Sequence, residues 1–175
     1  GTRLGPTQLA LLAATGVTRV NVYRPLRVAV LSTGDEIVAS GATDNPARTY
    51  DANRPMLLSL IEDWQMEPIN LGHVIDESDI MRRELDEGAE KADVILTSGG
   101  ASAGDEDHVS RLLGDTGPRS DWRIALKPGR PLALGIWNGV PVFGLPGNPV
   151  AALVCTMIFA RPAFAVLGGE GWIEP

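Results

Sequence analysis

The 175-residue chain has one cysteine, two histidines and, from position 122 to 169, no acidic residue at all. Each shortage excludes something. A lone Cys155 cannot close an intrachain disulfide, so the fold is no disulfide scaffold; within an apolar run it reads as a buried core thiol. His73 falls inside a strand-like run and His108 at a helix start, without the spacing of a zinc site. The longest apolar run, Val150 to Ala160, is short for a bilayer span and ends in Arg161-Pro162, so no membrane partner is expected. No charged-then-apolar signal opens the chain, which makes the cytoplasm the default compartment. A formal net charge of -7 argues against nucleic acid, whose partners need a basic face. "GLPGNP" lacks the serine of a nucleophile elbow, and "TSGGASAG" lacks the closing Gly-Lys-Ser/Thr of a P-loop.

What is present is a regular alternation. "GPTQLALLAATGV" sets Pro6 at a helix start and Gly16 at its stop, with Leu9, Leu12 and Ala13 on one face. "RVAVLSTG" reads as a buried strand and is followed by a polar loop containing Gly41 and Pro46. "NRPMLLSLIEDWQ" then carries Met56, Leu57, Leu60, Ile61 and Trp64 at helical spacing. Strand "EPINLGHVI", helix "DESDIMRRELDEGAEKA" and strand "DVILTS" repeat the pattern. A short helix from about Asp107 to Leu113, three strand-like pieces ("WRIALKP", "RPLALGI", "VPVFGLP") and a helix from about Pro149 to Leu167 complete it. Trp64 and Trp122 read as packing residues. Alternation of this kind predicts an α/β fold of three layers, α/β/α, with a mostly parallel sheet and an antiparallel edge. Residues 1–25 read as an N-terminal helix and lead-in strand, 26–168 as the domain, and 169–175 as the start of a linker. The chain opens on a helix signal without Met and reads as a piece of something longer.

In open α/β sheets, ligands bind beyond the carboxyl ends of the strands. Five strand ends here carry polar, Gly- or Pro-containing loops: Thr33-Gly34-Asp35-Glu36, Asp76-Glu77, the run from Gly99 to Asp107, Lys127 to Arg130, and Pro146 to Pro149. Each has a structural reading as well. Asp76 and Asp107 suit helix caps, Asn148-Pro149 suits an N-cap and N1 pair, and Gly99, Gly100 and Gly104 suit a turn. Lys127 and Arg130 tip the balance, because an acidic chain keeps a basic stretch beside the expected rim. Lys and Arg on a stiff loop suit phosphate, and carboxylates on neighbouring loops suit a hard divalent cation. Charge alone therefore points to a phosphorylated ligand with Mg²⁺.

"STGDE", "YDANR", "TSGGASAGDED", "KPGRP" and "GLPGNPVAA" stand in an order that resembles the MoeA-type molybdopterin molybdenumtransferases, the family that includes the E domain of gephyrin. The likeness runs from about Thr2 to Leu167. It implies a molybdopterin-binding domain of an enzyme that inserts molybdate into adenylylated molybdopterin, with Mg²⁺, releasing AMP. It also implies a homodimer in the full-length chain. By motif, Glu36, Asp76 and Asp107 look like the catalytic and Mg²⁺-holding acids. Thr33, Gly34 and Asp35 belong to the first ligand loop. Ser98, Gly99, Gly100, Ser102 and Gly104 look like cradling positions for pterin and phosphate. Lys127 and Arg130 look like binders of phosphate or molybdate oxygens, and Pro146, Asn148 and Pro149 like the loop facing the dithiolene. Family members are longer, with an N-terminal part and a small C-terminal domain that this stretch lacks, so it is expected to bind ligand better than it turns over. Competing readings on the same fold are a molybdopterin adenylyltransferase, a non-catalytic scaffold or dimerisation domain, and a nucleotide-competent domain like those of competence-damage-inducible proteins.

Overall fold

The computed structural model describes residues 1–41, 45, 48–99, 108–116, 120–123 and 131–172. After helix α1 (Pro6–Ala14), residues 17–26 form no strand, so the expected lead-in strand is absent. Strand β1 (Arg27–Thr33) is followed by two short strands, β2 (Ile37–Val38) and β3 (Thr49–Tyr50), in what the sequence presents as a polar loop. Then come α2 (Asn53–Asp63), β4 (Glu67–Val74), α3 (Ser78–Lys91), β5 (Val94–Gly99) and α4 (His108–Thr116). Strands β6 (Ser120–Arg123), β7 (Pro131–Trp137) and β8 (Val140–Leu145) lead into α5 (Pro149–Cys155), a π-helical turn (Thr156–Ala160) and α6 (Arg161–Leu167).

The main sheet has six strands in the order β4-β1-β5-β8-β7-β6. β4, β1, β5 and β8 are mutually parallel, and β7 is antiparallel to both β8 and β6. That is the expected mostly parallel sheet with an antiparallel edge. Two reversals return β6 to the direction of the parallel set, so five strands point their carboxyl ends to one rim.

Both faces of the sheet are covered, and the pleat of β1 divides the core. Val28 and Val30 face the layer of α2, α5 and α6, where they join Leu57, Ile61, Leu96, Phe143 and Phe164. Ala29 and Leu31 face α3 and α4, with Met81, Leu85, Ile95, Leu113 and Trp137. All four β1 residues are fully buried. A near-continuous apolar run is what a strand covered on two sides requires. Trp64 packs edge-on against Phe164 at 6.3 Å between ring centroids, beneath the Arg161 guanidinium. Cys155 is a buried free thiol in the same layer, and burial raises its pKa.

The helical rod runs from Pro149 to Leu167, as its sequence suggests, and passes through Arg161-Pro162. By length and composition it is long and apolar enough to cross a membrane, yet its inner side, with Ala152, Cys155, Ala160 and Phe164, is core. Pro162 has no N–H for the Ile158 carbonyl, and its ring crowds that oxygen. The chain absorbs this as a wide turn, in which the Arg161 N–H donates to the Thr156 carbonyl.

One ion-pair cluster pins the amino ends of β1 and β5. Asp93 accepts from Arg24 through both carboxylate oxygens at 2.6 Å, from Arg27 at 3.1 Å, and from the Arg27 backbone N–H at 2.9 Å. The Arg24 contact first, then the two from Arg27, hold its carboxyl far below the usual carboxylate range against the opposing cost of burial. A depressed folded-state pKa contributes stability that is complete above the unfolded value, about 3.9, and is lost as pH falls toward the folded one. Asp93→Asn should therefore lower the melting temperature at pH 7. Melts recorded from pH 7 to pH 2 should show the gap between wild type and variant closing below about pH 4; a constant gap would deny the carboxylate this role.

Candidate ligand site

At the carboxyl ends of β1 and β5 the backbones nearly touch. Gly99 has φ +120°, and a Cβ built there would overlap the Thr33 carbonyl oxygen and stand 2.8 Å from its carbonyl carbon. Only glycine fits this position. Gly34, at φ +134°, donates its N–H to the Val74 carbonyl at 3.2 Å, which ties the first loop to β4. His73 Nε2 lies 2.7 Å from the Gly34 carbonyl, an acceptor only, so that nitrogen carries the hydrogen. The ring is a structural tie for the loop.

A cavity of about 210 Å³ opens at this rim. Ser32, Glu36, Ser98, Gly99, Asn148 and Pro149 line it, together with Thr49 to Asn53. Thr49 to Asn53 reach the lining because β2 pairs with β3: the Thr49 N–H donates to the Glu36 carbonyl at 2.9 Å and the Asp51 N–H to the Val38 carbonyl at 2.8 Å. Asp51 and Asn53 are buried, and both belong to a motif that suggested kinship but no role. The Asp51 Oδ1 accepts from the Arg54 N–H, in the first turn of α2, at 3.0 Å; its Oδ2 is 3.0 Å from Arg54 Nε but off the hydrogen-bond direction. The only signal for a site role was a buried-type "YDANR" just ahead of a helix, where polar residues read as caps.

The expected residues divide three ways. Glu36, Ser98, Gly99, Asn148 and Pro149 line the cavity. Thr33, Gly34, Asp35, Asp76 and Pro146 sit at the same strand ends without lining it. Asp35 reaches across to β4, its Oδ1 accepting from the Asp76 N–H at 3.0 Å. Gly100, Ser102, Gly104, Asp107, Lys127 and Arg130 lie outside the described residues.

Two cap readings are resolved. Asn148 is an N-cap: its side-chain oxygen accepts from the Val150 and Ala151 N–H groups at 3.0 and 3.1 Å, with Pro149 following. Asp76 is not the N-cap of α3. That position is Glu77, whose side chain makes no cap bond. Among the described residues no three acidic, histidine or cysteine side chains gather into a metal-holding group. Oxygen donors from Glu36 and Asp76 suit a hard cation that takes one or two carboxylates and completes its shell with phosphate.

A doubly covered, mostly parallel sheet with a cavity across the carboxyl ends of β1, β5 and β8 defines an α/β domain with a candidate ligand site at its strand ends. Its family can be given. The model of the probable molybdopterin binding domain matches residues 29–165, and the chain belongs to that family. The molybdopterin molybdenumtransferase of Haemophilus influenzae is 39% identical over 176 residues, which cover all of this chain and 44% of that protein. Gephyrin of Dictyostelium discoideum is 29% identical over 98% of the chain and 28% of its own length. The crystal structure of a MoeA molybdopterin biosynthesis protein from Pyrococcus horikoshii superposes with a TM-score of 0.82 at 34% identity, covering 97% of this chain and 42% of that one. The chain thus spans less than half the length of these relatives.

Gly99→Ala should cost at least about 2–3 kcal/mol, because the added methyl meets backbone that cannot give way. Denaturant unfolding would read this as a lower midpoint with an unchanged slope; a variant as stable as wild type would mean that β1 and β5 separate freely at this end.

Proposed function

We propose that this chain is the molybdopterin-binding part of a molybdenumtransferase, which inserts molybdate into adenylylated molybdopterin with Mg²⁺ and releases AMP. The observation that carries this reading is the convergence of Glu36, Ser98 and Asn148, from three separate stretches of chain, on one cavity at the strand ends. The name of the Haemophilus relative supports the same activity.

In this reading the cavity takes the heterocycle. Its described charged groups, Glu36 and Asp51, are both acidic, which disfavours phosphate there. Phosphate is left to Lys127 and Arg130, which follow β6 in the sequence and lie outside the described residues. Glu36, Asp76 and Asp107 would hold Mg²⁺, which when bound offsets charge developing at the phosphoanhydride. Asp35 keeps the loops that carry Glu36 and Asp76 together through the Asp76 N–H. Thr33, Gly34, Gly100, Ser102, Gly104 and Pro146 shape the loops around the ligand.

The reading includes a homodimer and a cytoplasmic location. For the dimer, α1 buries none of its residues and leaves Leu9 and Leu11 exposed, apolar surface available to a second copy.

Calorimetric titration of molybdopterin and adenylylated molybdopterin, with and without Mg²⁺, tests the proposal. The adenylylated form should bind more tightly with Mg²⁺, and Glu36→Ala should remove most of that gain while leaving metal-free binding within about threefold. Equal binding of both forms regardless of metal would refute the acidic rim as a Mg²⁺ site. Lys127→Glu should weaken the adenylylated ligand by about tenfold or more without changing the melting temperature. Unchanged binding would remove the basic connection from the site.

A further inference from the structure

We propose that Asn53 is a positioning residue that sets the distance between the two loops flanking the ligand cavity; the inference rests on the molybdopterin-binding reading above. An asparagine at a helix start is ordinarily a cap. Here Asn53 is the first residue of α2 itself, and the Arg54 N–H goes to Asp51 ahead of the helix. The Asn53 side chain turns instead to the strand ends. The amide nitrogen lies 2.8 Å from the Gly147 carbonyl oxygen and 2.6 Å from Ser98 Oγ.

The polarity of this contact is forced. The Gly147 carbonyl only accepts, so the atom beside it is the amide nitrogen and not the oxygen. That nitrogen has two hydrogens. One goes to Gly147, in the loop after β8, and the other to Ser98, near the end of β5. Three elements separated by 45 and 94 positions of sequence are thereby joined through one side chain.

Energetics argue that the clamp is not there for stability alone. Asn53 is 8% exposed, and among the described residues its buried Oδ1 has no hydrogen-bond partner. A buried unpaired carbonyl costs about 1–3 kcal/mol, so the residue is a poor choice for a purely structural position. Gly147, Ser98 and Asn53 all line the cavity. Ser98, having accepted from Asn53, must direct its own hydrogen elsewhere, so the same contact orients a hydroxyl in the cavity wall. A fixed gap between the two loops and a fixed hydroxyl are what preorganisation for a rigid heterocycle requires.

The test separates affinity from stability. Molybdopterin is titrated anaerobically into the wild-type chain, Asn53→Leu and Asn53→Asp, with binding followed by pterin fluorescence and melting by calorimetry. Leucine keeps the branched shape at a larger volume; it removes the unpaired carbonyl but also the donor to Gly147 and Ser98, and these opposed effects should leave Asn53→Leu melting within a few degrees of wild type while it binds at least about tenfold more weakly. Asn53→Asp keeps the shape, has no amide hydrogens, and should lose at least as much. A folded variant of either kind with wild-type affinity overturns the inference, as does a loss of affinity that merely follows the loss of stability across the two. If neither folds, Ser98→Ala, which removes one of the two acceptors, should still give a loss of a few-fold, and no loss overturns the inference. Absence of binding by the wild-type chain would instead defeat the molybdopterin reading itself, and this inference with it.

Discussion

Where β5 ends against β1, Gly99 and the Thr33 carbonyl leave no room for a side chain. The rest of the rim depends on that approach. It holds Ser98 and Gly99 beside Ser32, close enough for the loop after β8 to complete a cavity across three parallel strands. Parallel strands all deliver their carboxyl ends to one side, so the polar loops that follow them have no other place to meet. The conformational strain that glycine avoids at φ +120° would otherwise fall on the strand pairing itself.

Burial and polarity are kept apart along each strand. β1 is apolar on both faces through Leu31 and turns polar only at Ser32 and Thr33, where the helices give way to the rim. β5 follows the same rule, with Val94 to Leu96 in the two cores and Thr97 and Ser98 beyond them. The apolar part holds the sheet between its helices, and the polar part is left for a ligand. At the opposite end the arginines around Asp93 fasten the same two strands. The pair is fixed at both ends, which suits a site whose geometry has to hold before the ligand arrives.

Elements with strong periodicity were legible from sequence. The runs of β1, β4, β5 and β8 and the stripes of α2 and α3 fall within a residue or two of their reading, because burial on two faces or one leaves a clear pattern. β2 and β3 were not legible. Each has two residues, and neither Ile37-Val38 nor Thr49-Tyr50 has a pattern long enough to stand out from a polar loop. Their pairing is decided by what they pack over. The wall they form, with Asp51 and Asn53, was therefore missed as part of the site. For Asp76 it is the structural alternative that fails: an acid just before a helix suits a cap, yet the helix begins one residue later than that role requires.

By itself the sequence determined the order of elements, the two-sided burial of the sheet and the set of polar loops at the strand ends. These follow from local pattern, since the period of apolar residues and the placement of Gly and Pro are set residue by residue. Tertiary structure decided which of those loops share a cavity. Glu36, Ser98 and Asn148 line it, whereas Asp35 and Asp76 bind each other beside it. It also decided that Asn53 joins β5 and β8 instead of capping its own helix. Such choices depend on distances between segments far apart in the chain, and no local pattern carries that information.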